Sequence, residues 1–200
     1  VYEASAELIT STEKVYLTEE QAIVDSANVD WEIDQTSGIA ISNENVKLGI
    51  RYVFPLENKV TLTFKSLPKD ENLRTPIKIA KVKTSELNLP NGMESYGEYA
   101  YDITTGMADG TFDYDLTLPK PGNQTAEIAY MEDQNSSPVL VSDNNTTQDG
   151  ETIKANSVDH FTIFVVVNPT PSGALCVAAG ATTGTGCYSS IQDAINAASN

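Results

Sequence analysis

Hydrophobic and polar residues alternate along much of this chain, which is the pattern of half-buried β-strands. Val60, Leu62 and Phe64 are separated by polar residues, so they share one face of a predicted strand. The segments 111–118 and 126–130 repeat this period of two. A strand with one apolar and one polar face is typical of antiparallel sheets that cover a core on one side. The pattern therefore predicts an all-β fold, an antiparallel β-sandwich.

Further strands are predicted at short intervals between turn signals. They cover residues 15–17, 31–33, 38–42, 46–54, 76–82, 98–103, 139–142, 152–155 and 161–167. Asn91-Gly92 and Asp109-Gly110 predict tight turns, and the polar stretches 134–137 and 142–150 predict exposed loops. Many short strands joined by such turns favour one or two sheet pairs of an immunoglobulin-like type.

Changes in composition divide the chain into four regions. Residues 1–70 are expected to form an N-terminal sandwich portion and residues 71–168 a C-terminal one; a single continuous sandwich is the alternative. The segment 169–174 contains two prolines and predicts a short, stiff linker. Residues 175–200 are rich in Ala, Gly and Thr and are expected to form a separate unit.

The acidic net charge of the chain disfavours anionic binding partners. The chain of 200 residues has a formal net charge of −16 at pH 7, which repels nucleic acid and anionic membrane surfaces. No stretch approaches the roughly 20 apolar residues that a membrane-spanning helix needs. We therefore expect no nucleic-acid binding and no membrane insertion.

The two cysteines, Cys176 and Cys187, are separated by ten residues. An even number, a short loop and no nearby histidine favour a disulfide over a metal site. In the chain-entropy model, closing such a loop contributes roughly 2–3 kcal/mol. Disulfides persist in oxidising compartments, so the pair points to an extracellular or cell-surface location.

The only histidine, His160, precedes Phe161 and Thr162 at the start of the most apolar predicted strand. A hydroxyl close to a potential base is the minimum equipment for an internal acyl shift. The same residues also fit an ordinary terminal strand of a sandwich. The side chains of that strand would alternate between its two faces. Phe161, Ile163 and Val165 would lie on one face, and Thr162, Phe164 and Val166 on the other.

The segment His160-Phe161-Thr162-Ile163-Phe164-Val165-Val166 resembles the last strand of a family of β-sandwiches. This family includes the GAIN domain of adhesion receptors and the related domain of ankyrins and netrin receptors. The resemblance continues upstream through Tyr101-Asp102-Ile103, Gly110-Thr111-Phe112 and Leu116-Thr117-Leu118-Pro119, as in bacterial surface versions, and covers about residues 99–167. It implies a GAIN-like architecture for the C-terminal portion.

Some members of that family cleave themselves before the Ser or Thr. The resemblance implies His160 as the base, Thr162 as the nucleophile and the Phe161–Thr162 peptide as the scissile bond. The reaction also needs a strained peptide. The cysteine pairs and the tryptophan that brace the cleavage site in the receptors have no counterparts here. Self-cleavage is therefore the alternative, and a structural strand is the main interpretation.

The segment 187–198 resembles the start of a right-handed parallel β-helix of the pectate-lyase-like class, in which an Ile-Gln-x-Ala-Ile-x-x-Ala helix caps the first coil. Ser189 and Gln192 fit a capping box, and Ile191 and Ile195 share a face at helical spacing. The resemblance implies a short C-terminal helix that caps an incipient β-helix. Its apolar face would be covered by following coils, by a neighbouring molecule or by the sandwich. A generic amphipathic helix is the alternative.

Other candidate sites are weak. Asp109, Asp113 and Asp115 could offer oxygen atoms to calcium, but they lack the spacing of the twelve-residue calcium loop and are expected to be solvated surface. The chain has no glycine-rich phosphate loop and no Gly-x-Ser-x-Gly, and a single histidine is too few for most zinc hydrolase sites. We expect neither a cofactor nor a metal.

These observations favour a non-catalytic structural or presenting module of an exported cell-surface or secreted protein, such as a stalk, adhesin or fibre element. A self-cleaving module that cuts the Phe161–Thr162 bond is one alternative. A carbohydrate-binding β-sandwich is another, which nine tyrosines and Trp31 permit without an identifiable aromatic platform. The expected partners are a second copy, held through the last strand or the cap helix, or a surface glycan or protein ligand.

Overall fold

The computed structural model describes residues 13–17, 24–25, 29–90, 92–122, 124–168, 175–178 and 185–188. The chain divides into two compact units, Val1–Asn168 and Pro169–Asn200. Regular structure in the described part consists of strands and three single 3₁₀ turns. The prediction of an all-β fold is confirmed.

Fourteen described strands belong to the first unit. They are β1 (Lys14–Tyr16), β2 (Val24–Asp25), β3 (Trp31–Asp34), β4 (Ile39–Ser42), β5 (Ile50–Val53), β6 (Thr61–Pro68), β7 (Lys78–Lys83), β8 (Tyr99–Thr104), β9 (Asp113–Pro119), β10 (Glu127–Met131), β11 (Val139–Leu140), β12 (Thr146–Gln148), β13 (Thr152–Val158) and β14 (Ile163–Val167). Most of them overlap the predicted strands, because apolar alternation marks their buried faces.

The strands form two sheets, neither of which closes into a barrel. The first sheet has the order β12-β13-β9-β6-β5-β2, and β1 pairs with the end of β6. The second has the order β11-β10-β14-β8-β7-β4-β3. Every described pair is antiparallel except β2 with β5. Strands from before and after residue 70 share both sheets, since β6 pairs with β9 and β4 pairs with β7.

The main core lies between the two sheets. Val60, Leu62 and Phe64 are fully buried in it, as predicted, together with Tyr114 and Leu116 of β9. The second sheet contributes Ile79, Ile103, Ile128 and Phe164, among others. The architecture is therefore sandwich-like, and the period of two in the sequence correctly identifies its inner faces.

A second apolar cluster lies on the outer face of the second sheet. It contains Val82, Leu87, Ala100, Ala129, Met131, Ile163, Val165 and Val167. The segment between β7 and β8 contributes Leu87 to this cluster, and Leu89 and Met93 of the same segment pack against it. The outer face of the central strands β7, β8, β10 and β14 is therefore covered in part by this segment.

Strand β14 has both of its edges paired and all five of its residues buried. On one side it pairs along its length with β10. On the other side its first residues pair with β8, and its last residue bridges to Ser95. The last strand of the sandwich thus lies inside its sheet.

Two details of the sequence interpretation are corrected. The polar stretch 142–150 was expected to be a loop, but it contains a 3₁₀ turn and the edge strand β12. Phe161 was expected beside Ile163 and Val165, yet it packs against the main core. The strand starts only at Ile163, so the period of two does not extend back to Phe161.

In the second unit the described residues form a two-stranded antiparallel sheet of β15 (Leu175–Ala178) and β16 (Thr185–Tyr188). Cys176 and Cys187 are directly opposite each other in its backbone register. Their side chains, the predicted linker 169–174 and the predicted cap helix at 189–198 lie outside what the structure describes. The disulfide and the helix therefore stay predictions.

Candidate functional site

The His160-Phe161-Thr162 segment connects β13 to β14 and is held from several directions. The His160 imidazole lies against Tyr130, with ring centroids 4.6 Å apart, and near Phe164 at 5.8 Å. Its Nδ1 is 3.2 Å from a carboxylate oxygen of Asp159. Its Nε2 is buried and has no hydrogen-bond partner among the described residues. The ring is therefore packed as an aromatic side chain, with one nitrogen unused.

Phe161 belongs to an aromatic stack in the main core. Its ring is 4.2 Å from that of Phe112 and 5.2 Å from that of Tyr114, with interplanar angles of 25° and 15°. Its amide N–H donates to a carboxylate oxygen of Asp109 at 3.4 Å. Stacked rings stabilise a fold beyond the area they bury, so Phe161 anchors this segment to the first sheet.

Thr162 is 4% exposed and anchors the segment to the second sheet. Its hydroxyl donates to the backbone carbonyl of Met131 at the end of β10. Its own carbonyl accepts the N–H of Ile103 at 3.1 Å. The hydroxyl is thus engaged as a structural donor.

The three predicted site residues are therefore adjacent, but the hydroxyl of Thr162 donates to Met131 and not to the imidazole. A base must be within about 2.6–3.2 Å of the proton that it removes, in the resting state or on the reaction path. Strain in the left-handed backbone region is also located elsewhere. Among the described non-glycine residues only Ser157 has a positive φ, of 55°, at the bulge of β13.

Tyr114 supports the same segment and was not singled out by the sequence. Its hydroxyl donates to the carbonyl of His160 at 3.0 Å. Burial raises the pKa of Tyr114 well above its usual value, and the charges of Asp109 and Asp159 raise it further. The hydroxyl therefore keeps its proton and remains a donor. Only the sequence pattern of β9 marked this residue, as part of the core.

A cleft lined by tyrosines lies at one end of the sandwich, where three distant parts of the chain meet. Its volume is about 280 Å³. Its lining includes Tyr99 and Tyr101 at the start of β8 and Tyr96 just before it. Glu57 comes from the turn before β6, and Pro119 and Pro121 lie at and just after the end of β9. No local motif reveals such a convergence, and for this reason the sequence showed no aromatic platform.

Tyr101 is the deepest of the three tyrosines, at 4% exposure. Its ring packs edge-on against Phe54, with centroids 6.2 Å apart. Its hydroxyl has no hydrogen-bond partner among the described residues. Burial raises its pKa above the usual value for tyrosine, and the nearby Glu57 and Tyr99 raise it further. An uncharged hydroxyl that can both donate and accept therefore lines the cleft.

Two further clefts each share a lining residue with this one. Tyr99 also lines a cleft of about 450 Å³ with Lys81, Gln35 and Glu86. The ammonium group of Lys81 lies 5.0 Å from the centroid of the Tyr99 ring and donates to the carbonyl of Leu56 at 2.9 Å. Tyr99 therefore lines both clefts.

Lys120 lines the tyrosine cleft and also a polar cleft of about 580 Å³. It is 7% exposed, and its ammonium group donates to the carbonyls of Gly122, Gln124 and Gly150 at 2.7, 2.9 and 3.2 Å. All three N–H donors of this buried ammonium group are thus satisfied by backbone carbonyl oxygens. Lys120 serves to hold the loop after β9 against the turn before β13.

The acidic residues of the predicted solvated clusters make structural contacts. Asp115 accepts from Lys154 at 2.7 Å and from Lys65 at 2.9 Å. Asp113 accepts from Ser66 at 2.6 Å and from Lys14 at 3.0 Å. Within the part of the chain that is described, no three His, Cys, Asp or Glu side chains lie close enough together to hold a metal ion.

Comparison with known proteins adds no family. No family model matches this chain, and no curated protein matches it. Among the described residues there is no helix with the length and apolar character needed to cross a membrane.

Proposed function

We propose that this chain is a non-catalytic structural module of an exported cell-surface or secreted protein, and that its sandwich presents the unit that follows it. The observation that carries the proposal is the way the chain leaves the sandwich. It leaves from β14, which is paired on both edges, and the exit residue Asn168 is fixed by reciprocal hydrogen bonds.

Asn168 makes these bonds with Glu94. Its N–H donates to the carbonyl of Glu94 at 2.8 Å, and its side-chain oxygen accepts the N–H of Glu94 at 2.8 Å. The side-chain amide also reaches the carbonyl of Gly92 at 3.5 Å. A module that presents a neighbour needs an exit point of defined position, and this clamp supports that role.

The chemistry of the His160 segment supports the same proposal. Thr162 and Phe161 are engaged with Met131 and with the aromatic stack, so each residue required for self-cleavage has a packing role in this structure. The GAIN-like architecture and the cap of a β-helix in the second unit remain parts of the proposal, and both rest on the resemblance alone.

The positions of the two cysteines support the proposed extracellular or cell-surface location. Cys176 and Cys187 are register partners on neighbouring strands, and the Cβ atoms of such a pair are about 4.5–5.5 Å apart, close to the spacing of a disulfide. We propose that they form a disulfide. Mass spectrometry after alkylation of the unfolded, unreduced protein from its native source would show no modified cysteine. Two alkylated cysteines would count against an oxidising location.

Single-molecule pulling on the intact chain tests the presenting role. We expect the sandwich to unfold in one resolved high-force event, and Asn168→Ala to lower its unfolding force because the exit clamp is lost. Asn43→Ala is the matched control, since Asn43 is exposed and only its backbone is hydrogen-bonded. Unfolding without a resolved force peak, or equal forces for the two variants, would contradict the proposal.

A further inference from the structure

We propose that the tyrosine cleft is a binding site for a neutral oligosaccharide. This goes beyond the presenting role, since a stalk needs no ligand. The site is built from residues that the two sheets bring together: Tyr96, Tyr99, Tyr101, Glu57, Pro119 and Pro121.

The apolar part of the site suits the faces of sugar rings. The C–H bonds on a pyranose face carry a slight positive charge, and an aromatic ring face is negative. Tyr96 and Tyr99 are half-buried, so part of each side chain is accessible in the cleft. The N–H of Tyr96 donates to the carbonyl of Val166 at 2.7 Å, which fixes its backbone. The backbone position of Tyr96 is therefore set before a ligand arrives.

The polar part of the site suits sugar hydroxyls. The hydroxyl of Tyr101 is held by a side chain that is 4% exposed, and it has no partner in the described part of the chain. A phenol hydroxyl can both donate and accept, so a ligand hydroxyl in the cleft would exchange hydrogen bonds with it. Glu57 lines the same cleft and offers carboxylate oxygens as acceptors. Few, convergent polar groups among aromatic ones are typical of small-ligand sites.

The charges of the site favour a neutral ligand over an anionic one. Lys81 donates to the carbonyl of Leu56, and Lys120 donates to three other carbonyls, so both cations near the cleft are engaged. Glu57 and Glu98 line the cleft, and the chain as a whole carries a net charge of −16. A sulfated or uronic acid polymer would be repelled.

A cationic peptide is disfavoured by a different contact. The ammonium group of Lys81 already lies over the ring of Tyr99, at 5.0 Å from its centroid. That contact uses the ring's attraction for a cation. Clefts on either side share Tyr99 or Lys120 with this one, which favours several linked sugars over a single one.

Isothermal titration calorimetry on the intact chain tests the proposal. The probes are neutral hexasaccharides of β-1,4-glucose, α-1,4-glucose, xylose, mannose and N-acetylglucosamine, with hexagalacturonate and hexalysine as charged probes. We expect at least one neutral hexasaccharide to bind and the charged probes to fail. If no neutral probe binds at millimolar concentration, or if hexalysine alone binds, the proposal is wrong.

Variants locate the site. Tyr99→Ala should weaken binding about tenfold, which corresponds to about 1.4 kcal/mol. Tyr101→Phe should weaken it while keeping the ring, and Tyr99→Phe should retain most of it. Tyr16→Ala is the matched control, because Tyr16 is 62% exposed on β1 and does not line the cleft.

Thermal unfolding of each variant separates binding from folding. If Tyr99→Ala fails to fold, Tyr101→Phe still tests the proposal, since it removes a single oxygen atom and keeps the ring. Wild-type affinity in Tyr101→Phe, or in a folded Tyr99→Ala, would overturn the proposal.

Discussion

Replacing Thr162 with Val separates the structural from the catalytic interpretation of the His160 segment. Valine has nearly the same shape as threonine but cannot donate a hydrogen bond. In the structure the hydroxyl donates to the carbonyl of Met131, and the side chain is 4% exposed. Thr162→Val therefore leaves that carbonyl without this donor, at a site with little access to water.

The expected loss of stability follows from that contact. A buried hydrogen bond contributes about 0.5–1.5 kcal/mol net, and an acceptor left unpaired costs about 1–3 kcal/mol. The added methyl group of valine offsets part of this, by at most about 0.8 kcal/mol. We expect Thr162→Val to lower the free energy of unfolding by about 1–2 kcal/mol, or the Tm by about 2–8 °C for a chain of this length.

Urea unfolding followed by circular dichroism measures this difference. Thr162→Ser is the matched control, because it keeps the hydroxyl and loses one methyl group, at a cost of about 0.8 kcal/mol. The serine variant should therefore be more stable than the valine variant. If Thr162→Val is as stable as the wild type, the bond to Met131 contributes nothing and the structural interpretation of Thr162 fails.

Three further predictions concern other contacts. Burial opposes ionisation of Asp115, but the hydrogen bonds and charges of Lys154 and Lys65 outweigh it and lower the pKa. Asp115 should therefore stabilise the fold above about pH 4, and this effect should be lost as the pH falls through its lowered pKa. Asp115→Asn should lower the free energy of unfolding by about 2 kcal/mol at pH 7, and by less in acid, when unfolding is measured as a function of pH. A difference that stays constant with pH would contradict this. Phe161→Ala should cost about 3 kcal/mol in urea unfolding, since it opens the aromatic stack, whereas Phe161→Leu should cost less; equal costs would refute the stacking argument. Lys120→Met should leave the fold intact but speed amide hydrogen exchange at residues 120–126 and 150–152, because three carbonyls lose their donor; unchanged exchange there would show that the contacts are dispensable.

The inner faces of the sandwich could be predicted because the signal is local. The alternation in β6 and β9 identifies residues such as Leu62 and Leu116 from their neighbours in the sequence, and these residues are fully buried. The same local rule fails on the outer face of the second sheet. Ala129 and Ile163 are buried there in a cluster with Leu87, which comes from the segment between β7 and β8 and is distant in the sequence.

Edge strand β12 illustrates a different limit. Thr146–Gln148 is polar and mostly exposed, so its composition resembles that of a loop. It is held by its pairing with β13 and by the side chain of Gln148, which bonds to both the N–H and the carbonyl of Ala126. An edge strand with little apolar burial carries almost no hydrophobic signal.

The candidate sites show what residue types alone can convey. The pattern correctly drew attention to His160 and Thr162, but their chemistry depends on where the hydroxyl points, and Met131, which accepts it, is 31 residues away. The tyrosine cleft depends on contacts between residues near positions 57, 99 and 120, which become neighbours only when the two sheets stack. Neither relationship is encoded in a short motif.

The claim that the His160 segment holds an uncut sandwich together is tested most directly by the intact mass of the freshly unfolded protein. The structural account predicts a single species at 21.5 kDa, in the wild type and in Thr162→Val alike. Self-cleavage at the Phe161–Thr162 bond would instead give two fragments of about 17 and 4 kDa, in proportion to their shares of the chain. Those fragments in the wild type, and their absence in Thr162→Val, would contradict the account.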